Sequence, residues 1–370
     1  MPNTEDPMRI VAALTLLACV ACGGSEPTAV SAQAASDSAF VAAVRAQLAA
    51  ATAADQFSGA VLVIRDGVTL FEGAYGFADR ERRVPNTLLT QFRVGSMNKM
   101  LTAVATLQLV QSGKVRLDAP LRTYLPDYPN GDVASQVTLH HLLTHTGGTG
   151  DIFGPAFMEH RSELRDPSDY LQLYGTRGLQ FAPGAKHVYS NYGFMLLGAV
   201  IEQVAGTSYD AYVAAHVHRL AEMSATGAAP EDSLVPGRAV GYMRQGGTLV
   251  SNAPTLPYRG TPAGGGYSTV QDLARFADAI QQHRLLDPAH TELLLSGKVA
   301  VGSSFRYAYG FIDRVVGGRR FVGHGGGAPG MNGDLAFEPN GGYVVVVLSN
   351  FDPPAAQQMA AFILNRLPTP

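Results

Sequence analysis

The sequence predicts an α+β fold, an α/β sandwich in which an antiparallel sheet is flanked by N- and C-terminal helices. Residues 59–65 and 68–71 are strand-like and flank an Asp-Gly turn, which is typical of a β-hairpin. Strand-like segments joined by glycine-rich turns occur between residues 309 and 350, and a helical pattern follows at 353–367. Residues 115–235 show no strand pattern. We therefore expect one sheet built from both ends of the chain, with a mostly helical insertion between them.

The N-terminal 22 residues are predicted to be a signal peptide and not part of the fold. An apolar run follows Arg9, and it is shorter than the roughly 20 residues that a membrane span needs. The segment resembles a bacterial lipoprotein signal, in which a cysteine is lipidated. Cys22 is favoured because residues 23–35 are small and polar, as in a flexible linker; lipidation of Cys19 and simple cleavage are the alternatives. We expect an exported protein, periplasmic or attached to the membrane by its N-terminal lipid.

The composition of the remaining chain indicates a compact folded domain at 36–370. Hydrophobic residues make up 46% and charged residues 15% of the sequence, against a typical charged content of about 25%. The net charge is −3 and there is no block of basic residues, so we expect no nucleic-acid partner. Both cysteines lie in the predicted signal, so the folded part has no disulfide.

The α/β part of this domain is predicted at about 36–114 and 236–370. Ser36 or Ser38 can cap a first amphipathic helix that runs to about Ala51. After the hairpin, an almost uncharged helix extends from residue 97 to residue 112 and ends at a glycine. A further helix capped by Thr269 precedes the late strands.

Ser96 and Lys99 stand at the start of the helix at 97–112. Residues three apart lie on one face of a helix, one turn from each other. A helix start also offers free backbone N–H groups and the positive end of the helix dipole. A serine hydroxyl becomes a nucleophile beside a base, and a desolvated lysine can be that base. The alternative for Ser96 is a simple helix cap.

Three motifs in order carry a family resemblance. They are Ser96-Met97-Asn98-Lys99, Tyr189-Ser190-Asn191 and His324-Gly325-Gly326. Together they resemble the motifs of the serine β-lactamase and penicillin-binding-protein-like hydrolases, which include class C β-lactamases, D,D-carboxypeptidases and family VIII-type esterases. The resemblance extends over about 40–366 and implies the DD-peptidase/β-lactamase-like fold and a serine hydrolase that forms an acyl-enzyme.

The resemblance implies a role for each motif residue. Ser96 would attack the carbonyl carbon, Lys99 would share its proton with a lowered pKa, and Tyr189 would act as acid and base. Which of Lys99 and Tyr189 is the first base stays open. Asn191 would hold Lys99 and bind a substrate amide. The N–H groups of Ser96 and Gly327 would form the oxyanion hole, with Gly326 allowing close approach of the strand.

The third motif departs from the β-lactamase form. His324 replaces a lysine, and a histidine is only partly charged near neutral pH. Gly325 stands where many members have threonine, and it offers no hydroxyl. We therefore expect weak recognition of a substrate carboxylate and hydrolysis of a small-molecule or peptide-like ester or amide. The alternatives are a carboxylesterase with little β-lactam activity and, from another class, an inactive penicillin-binding-like binding or sensor domain.

Other patterns are weaker, and no cofactor or metal is expected. His140, His141 and His145 lack the glutamate of an H-E-x-x-H zinc site, so a structural or site-wall role is favoured. Gly325 to Gly330 matches a dinucleotide fingerprint, but a strand pattern follows it where a helix is required. No serine stands in a G-x-S-x-G sequence, which argues against an α/β-hydrolase.

Overall fold

The computed structural model describes residues 29–369, so the predicted signal peptide with Cys19 and Cys22 lies outside the described residues. The helices are α1 (Ala29–Ala53), α2 (Asn98–Gln111), α3 (Gly131–Gln136), α4 (Leu139–Leu143), α5 (Pro155–His160), α6 (Pro167–Tyr174), α7 (Asn191–Ala205), α8 (Tyr209–Val213), α9 (Val270–Gln281), α10 (Pro288–Leu295) and α11 (Ala355–Leu364). The strands are β1 (Gly59–Arg65), β2 (Val68–Tyr75), β3 (Phe77–Asp79), β4 (Val84–Pro85), β5 (Phe92–Arg93), β6 (Tyr242–Gln245), β7 (Thr248–Ser251), β8 (Tyr267–Ser268), β9 (Val299–Val301), β10 (Phe305–Tyr307), β11 (Ile312–Val316), β12 (Arg319–Ala328), β13 (Met331–Phe337) and β14 (Tyr343–Ser349).

An eight-stranded antiparallel sheet organises the molecule, in the order β2-β1-β14-β13-β12-β11-β10-β9. The N-terminal strand β1 pairs along its whole length with β14, from Gly59 opposite Ser349 to Arg65 opposite Tyr343. The hairpin from β1 to β2 turns at Asp66 and Gly67, which both have positive φ as a tight two-residue turn requires. The prediction of one sheet built from both ends of the chain is confirmed.

Helices cover both faces of this sheet, which gives the sandwich. Side chains alternate along a strand, so Val345 and Val347 of β14 face one way and Val344 and Val346 face the other. The first pair packs in a core with α1 and α11. The second pair belongs to the larger core that contains α2, α7 and α9. Burial on both faces explains why β14 is a continuous apolar run and not an alternating one.

The region between the two parts of the sheet is helical. From residue 115 to residue 235 the described chain contains helices α3–α8, short turns and isolated bridges. Helix α7 packs against α2, α4 and α6. This packing brings the N-terminal end of α7 beside the N-terminal end of α2. In residues 29–369 no helix has the length and apolar character needed to cross a lipid bilayer.

Two predicted boundaries are corrected by the structure. Helix α1 begins at Ala29, so residues 29–35 are helical and do not belong to a flexible linker. Alanine, which recurs in this segment, has the highest helix propensity. The strand expected from Tyr309 begins only at Ile312. Gly310 has φ of +68°, and a Cβ there would lie 2.7 Å from the carbonyl oxygen of Lys99, so this glycine forms a turn against α2.

Candidate active site

Ser96 and Lys99 meet where a short 3-10 turn, Gly95–Met97, continues into α2. The Lys99 side chain is fully buried, whereas Ser96 is half-buried. Nζ of Lys99 lies 3.3 Å from Oγ of Ser96. The one-turn spacing therefore places the amine directly beside the hydroxyl, as the sequence predicts.

Two further acceptors surround the Lys99 amine. Nζ donates to Oδ1 of Asn191 over 2.7 Å and to the carbonyl oxygen of Ala263 in a short hydrogen bond. The rings of Tyr189 and Phe194 lie 4.8 and 5.4 Å from Nζ. Burial lowers the pKa of Lys99 to about 7, although the charge of Asp151 raises it. The lowered pKa makes the uncharged amine accessible at neutral pH.

The second motif lies at the N-terminal end of α7. The Ser190 hydroxyl caps this helix by accepting from the N–H of Gly193 over 3.0 Å, and Asn191 is the first helical residue. Tyr189 stands just before the cap. Burial raises the pKa of its phenol, and the neighbouring Ser96 hydroxyl lowers it in part. Because 38% of Tyr189 is exposed, solvent reduces this effect, but its direction leaves the phenol protonated at neutral pH.

The glycines of β12 allow this strand to contact the segment that carries Ser96. A Cβ on Gly326 would lie 1.9 Å from the carbonyl oxygen of Val94, so only glycine fits there. A Cβ on Gly95 would lie 3.0 Å from the amide nitrogen of Gly327. The backbone of Gly327 therefore lies beside Gly95, the residue before Ser96, which is compatible with an oxyanion hole formed by the amides of Ser96 and Gly327.

His324 lies in the site wall with both ring nitrogens engaged. The Tyr307 hydroxyl is 3.0 Å from its Nε2, and its Nδ1 is 2.5 Å from the carbonyl oxygen of Gly325. The side chain is 6% exposed. Burial and then the charge of Lys99 lower the pKa of His324 to about 3. The expectation of a partly charged histidine is corrected, because this ring is neutral at physiological pH.

The expected effect of Gly325 is also corrected. Side chains alternate along β12, and a Cβ on Gly325 would meet Nε2 of Gln357 at 3.1 Å and Oδ2 of Asp334 at 3.4 Å. It would thus point towards α11, away from the face that carries His324. A threonine hydroxyl added there would not lie on the His324 face of the strand.

Asp151 is a site residue that the sequence reasoning missed. Its Oδ1 accepts from the backbone N–H of Asn191 over 2.9 Å, and its Oδ2 accepts from Nδ2 of Asn191 over 3.2 Å. The second bond fixes the Asn191 amide so that its oxygen faces Lys99. The signal available in the sequence was the segment Thr146 to Gly150, whose three glycines imply a tight loop before an acidic residue.

The histidines near α4 make separate contacts. Nδ1 of His141 accepts from the backbone N–H of Thr138, and Nδ1 of His140 lies 2.8 Å from the Tyr309 hydroxyl. His145 is buried beside Tyr189. The glycines from Gly325 to Gly330 lead from β12 into β13 and not into a helix, so they are no dinucleotide fingerprint.

Comparison with known proteins agrees with this geometry. The beta-lactamase family profile matches residues 42–367. The chain belongs to the beta-lactamase family. It is 32% identical to the putative penicillin-binding protein PbpX of Bacillus subtilis over 297 residues, which cover 80% of this chain and 71% of PbpX. It is 31% identical to esterase EstB of Burkholderia gladioli, over 79% of this chain and 83% of EstB.

A solved structure extends the comparison to the fold. The penicillin-binding protein of Bacillus halodurans aligns with a TM-score of 0.77 and 34% identity, over 84% of this chain and 98% of that protein. The DD-peptidase/β-lactamase-like fold is thereby confirmed. This beta-lactamase family member is a serine hydrolase for ester or amide bonds.

The charge of Asp151 gives a prediction for the pH dependence of this hydrolase. Asp151→Asn removes a negative charge that raises the pKa of Lys99, so that pKa should fall below its wild-type value of about 7. The amine is then uncharged at lower pH, and the acidic limb of kcat/KM against pH should move to lower pH. Asp118→Asn, at an exposed ion pair with Arg116, is the control and should leave the limb in place. An acidic limb that keeps its position or moves to higher pH in Asp151→Asn would show that the Asp151 charge does not raise the pKa of the group that sets this limb.

Proposed function

We propose that Ser96 forms the acyl-enzyme and that Lys99, in its uncharged form, is the first base. The observation that carries this proposal is the set of three partners around Nζ. A neutral amine has two N–H groups and one lone pair. The carbonyl oxygen of Ala263 and Oδ1 of Asn191 accept the two N–H groups, so the lone pair is left for the Ser96 hydroxyl.

The reaction then follows from these positions. Ser96 Oγ attacks the carbonyl carbon as its proton passes to Nζ of Lys99, and the amides of Ser96 and Gly327 bind the oxyanion. Tyr189 keeps its proton in the resting enzyme, so it can donate to the leaving group and recover that proton from Lys99. A water molecule then attacks the acyl group while the same pair accepts its proton, and the pair returns that proton to Ser96 Oγ as the bond between Oγ and the acyl carbon breaks.

The charges around the site support an ester or amide substrate without a carboxylate next to the reacting carbonyl. His324 is neutral and both of its nitrogens have protein partners, so it offers no cation to a carboxylate. Asp151 adds a negative charge beside Asn191. The likeness to esterase EstB supports the same substrate class. We therefore place a carboxylesterase with little β-lactam activity ahead of a β-lactamase.

Two matched esters test this proposal. The kcat/KM for p-nitrophenyl butyrate and mono-p-nitrophenyl succinate should be measured and divided by each ester's hydroxide-catalysed rate, which removes intrinsic reactivity. We expect the butyrate to be preferred about tenfold or more, which corresponds to about 1.4 kcal/mol. Nitrocefin and benzylpenicillin should be turned over far more slowly than the butyrate. Preference for the succinate, or nitrocefin hydrolysis as fast as that of the ester, would overturn the proposal.

We also propose that the protein is exported and anchored by a lipid on Cys22. The support is the sequence pattern at residues 9–22 alone. Detergent-phase partitioning of the full-length protein should be lost in Cys22→Ala and retained in Cys19→Ala. Partitioning that persists in Cys22→Ala would refute the assignment of that cysteine.

A further inference from the structure

A continuous chain of four hydrogen bonds, three of them buried, joins the second motif to the third behind Tyr189. The backbone N–H of Ser190 donates to Nδ1 of His145 over 3.1 Å. Nε2 of His145 lies 2.9 Å from the Tyr307 hydroxyl, which lies 3.0 Å from Nε2 of His324. Nδ1 of His324 lies 2.5 Å from the carbonyl oxygen of Gly325. We refer to His145, Tyr307 and His324 as the neutral bridge.

The two ends of the neutral bridge fix the position of every proton in it. A backbone N–H only donates, so Nδ1 of His145 accepts and Nε2 carries the proton of the neutral ring. That Nε2–H donates to the Tyr307 oxygen. A carbonyl oxygen only accepts, so Nδ1 of His324 carries its proton, and the free lone pair on Nε2 accepts from the Tyr307 hydroxyl. Each of the four contacts therefore holds one proton.

This arrangement of protons is incompatible with a protonated, positively charged His145 or His324. A proton added to Nε2 of His324 would force the Tyr307 hydroxyl to turn towards His145. His145 would then have to move its own proton to Nδ1, where the Ser190 N–H already points. One bond of the neutral bridge must break, and the side chains of His145, Tyr307 and His324 are 1, 2 and 6% exposed, so water does not replace it.

The neutral bridge also contacts the catalytic tyrosine. The ring centroids of His145 and Tyr189 are 4.2 Å apart, and those of His145 and Tyr307 are 4.7 Å apart. The backbone of His145 has φ of +56° and its carbonyl oxygen accepts from the N–H of Val188, so the loop before Tyr189 is attached to the same histidine. Movement of the bridge would therefore move the Tyr189 ring.

We propose that His145, Tyr307 and His324 are positioning residues, and that the Tyr307 hydroxyl both aligns Tyr189 with the oxyanion strand and keeps His324 uncharged. This inference deepens the proposed function and rests on it. The charged and titratable groups that face the bridge are Lys99 from α2, His187 and Tyr189 from the loop before α7, and Arg314 from β11. Three of these, Lys99, His187 and Arg314, are cations or potential cations, which also disfavour a protonated histidine.

Nitrogen-15 NMR of the imidazole rings tests the bridge without any substrate. In the wild-type enzyme we expect the Nε2–H tautomer for His145 and the Nδ1–H tautomer for His324, with neither ring titrating between pH 4.5 and about 8. In Tyr307→Phe, Nε2 of His324 loses its donor to the neutral ring, so the pKa of His324 should rise above its wild-type value, and a pKa that does not rise would overturn the role of the hydroxyl. Other tautomers, or a His324 that titrates in the wild type, would overturn the inference. Because no turnover is needed, this result stands apart from any failure of the proposed function.

Kinetics of the same variant test the positioning role. Tyr307→Phe keeps the ring but removes the hydroxyl, so kcat for p-nitrophenyl butyrate should fall roughly 10- to 100-fold with little change in KM. Its pH profile should show a second ionisation below that of Lys99. The control is Tyr309→Phe, which removes the 2.8 Å hydrogen bond between the Tyr309 hydroxyl and Nδ1 of His140. This change should alter neither kcat nor the pH profile. A Tyr307→Phe enzyme with reduced thermal stability but wild-type kcat and pH profile would show that the hydroxyl is only structural.

Discussion

Replacement of Ser96 by alanine is expected to abolish covalent labelling by a fluorophosphonate and to reduce ester turnover by a factor on the order of 10⁴ or more. The physical reason is that Ser96 Oγ is the atom that bonds to the substrate, and the Lys99 amine beside it is fully buried. Intact-mass measurement after exposure to the fluorophosphonate detects the adduct directly.

The control for this experiment is a serine at the other end of the same helix. Ser112 is exposed, and its hydroxyl donates to the carbonyl oxygen of Gln108 over 2.9 Å. Ser112→Ala should label as the wild type does. An adduct of unchanged mass and stoichiometry in Ser96→Ala would refute the nucleophile. A wild-type enzyme that neither labels nor turns over esters would instead favour the inactive binding or sensor domain.

Local sequence patterns predict much of the fold, but they do not predict the short strands at the edge of the sheet. The Asp66-Gly67 turn and the apolar run of β14 are strong signals, so the hairpin and the buried strand are predictable. Strands β9 and β10 are three residues each, and they exist because β10 pairs with β11 and β9 pairs with β10 at the edge of the sheet. Such short segments have too few residues to show an alternation of apolar and polar residues. Pairing with neighbouring strands therefore decides their conformation.

The candidate site divides in the same way between local and long-range information. Ser96 and Lys99 are neighbours through helical spacing, and Tyr189 and Asn191 are linked by one helix cap, so the sequence reveals both pairs. The carbonyl of Ala263 and the hydroxyl of Tyr307 reach the site only through the tertiary fold. Because every residue has a backbone carbonyl group, the residue type does not indicate where that carbonyl points.

The third motif shows how burial changes the chemistry of a residue type. A histidine in a sequence has a pKa near 6.5 and is taken as partly charged. In the fold, His324 is buried, the charge of Lys99 lowers its pKa further, and Tyr307 and Gly325 occupy its two nitrogens. Its expected charge is therefore lost, which strengthens the argument against carboxylate recognition. The Gly325 half of that argument fails, because its missing side chain would point towards α11.

Replacement of Lys99 should be the second most damaging change, and it separates two roles for the amine. Lys99→Met removes the base, and Lys99→Arg retains a cation and its donors but cannot lose a proton at any working pH. If Lys99 accepts the Ser96 proton, both variants should lose about 10³-fold in kcat/KM. If the lysine served only as a donor to Asn191 and Ala263, the arginine variant would keep a substantial part of the activity. Circular dichroism should show that both variants remain folded.

The wild-type pH profile provides the complementary test. Burial lowers the pKa of Lys99 to about 7, and the uncharged form is the base, so kcat/KM should rise with pH through an ionisation near 7 and level off above about 8. The sign distinguishes the candidates, because a base role for Tyr189 would place the rise far higher, where its raised pKa lies. In Lys99→Met the residual activity should lose this ionisation. A wild-type profile that is flat from pH 5 to 9 would mean that another group takes the serine proton.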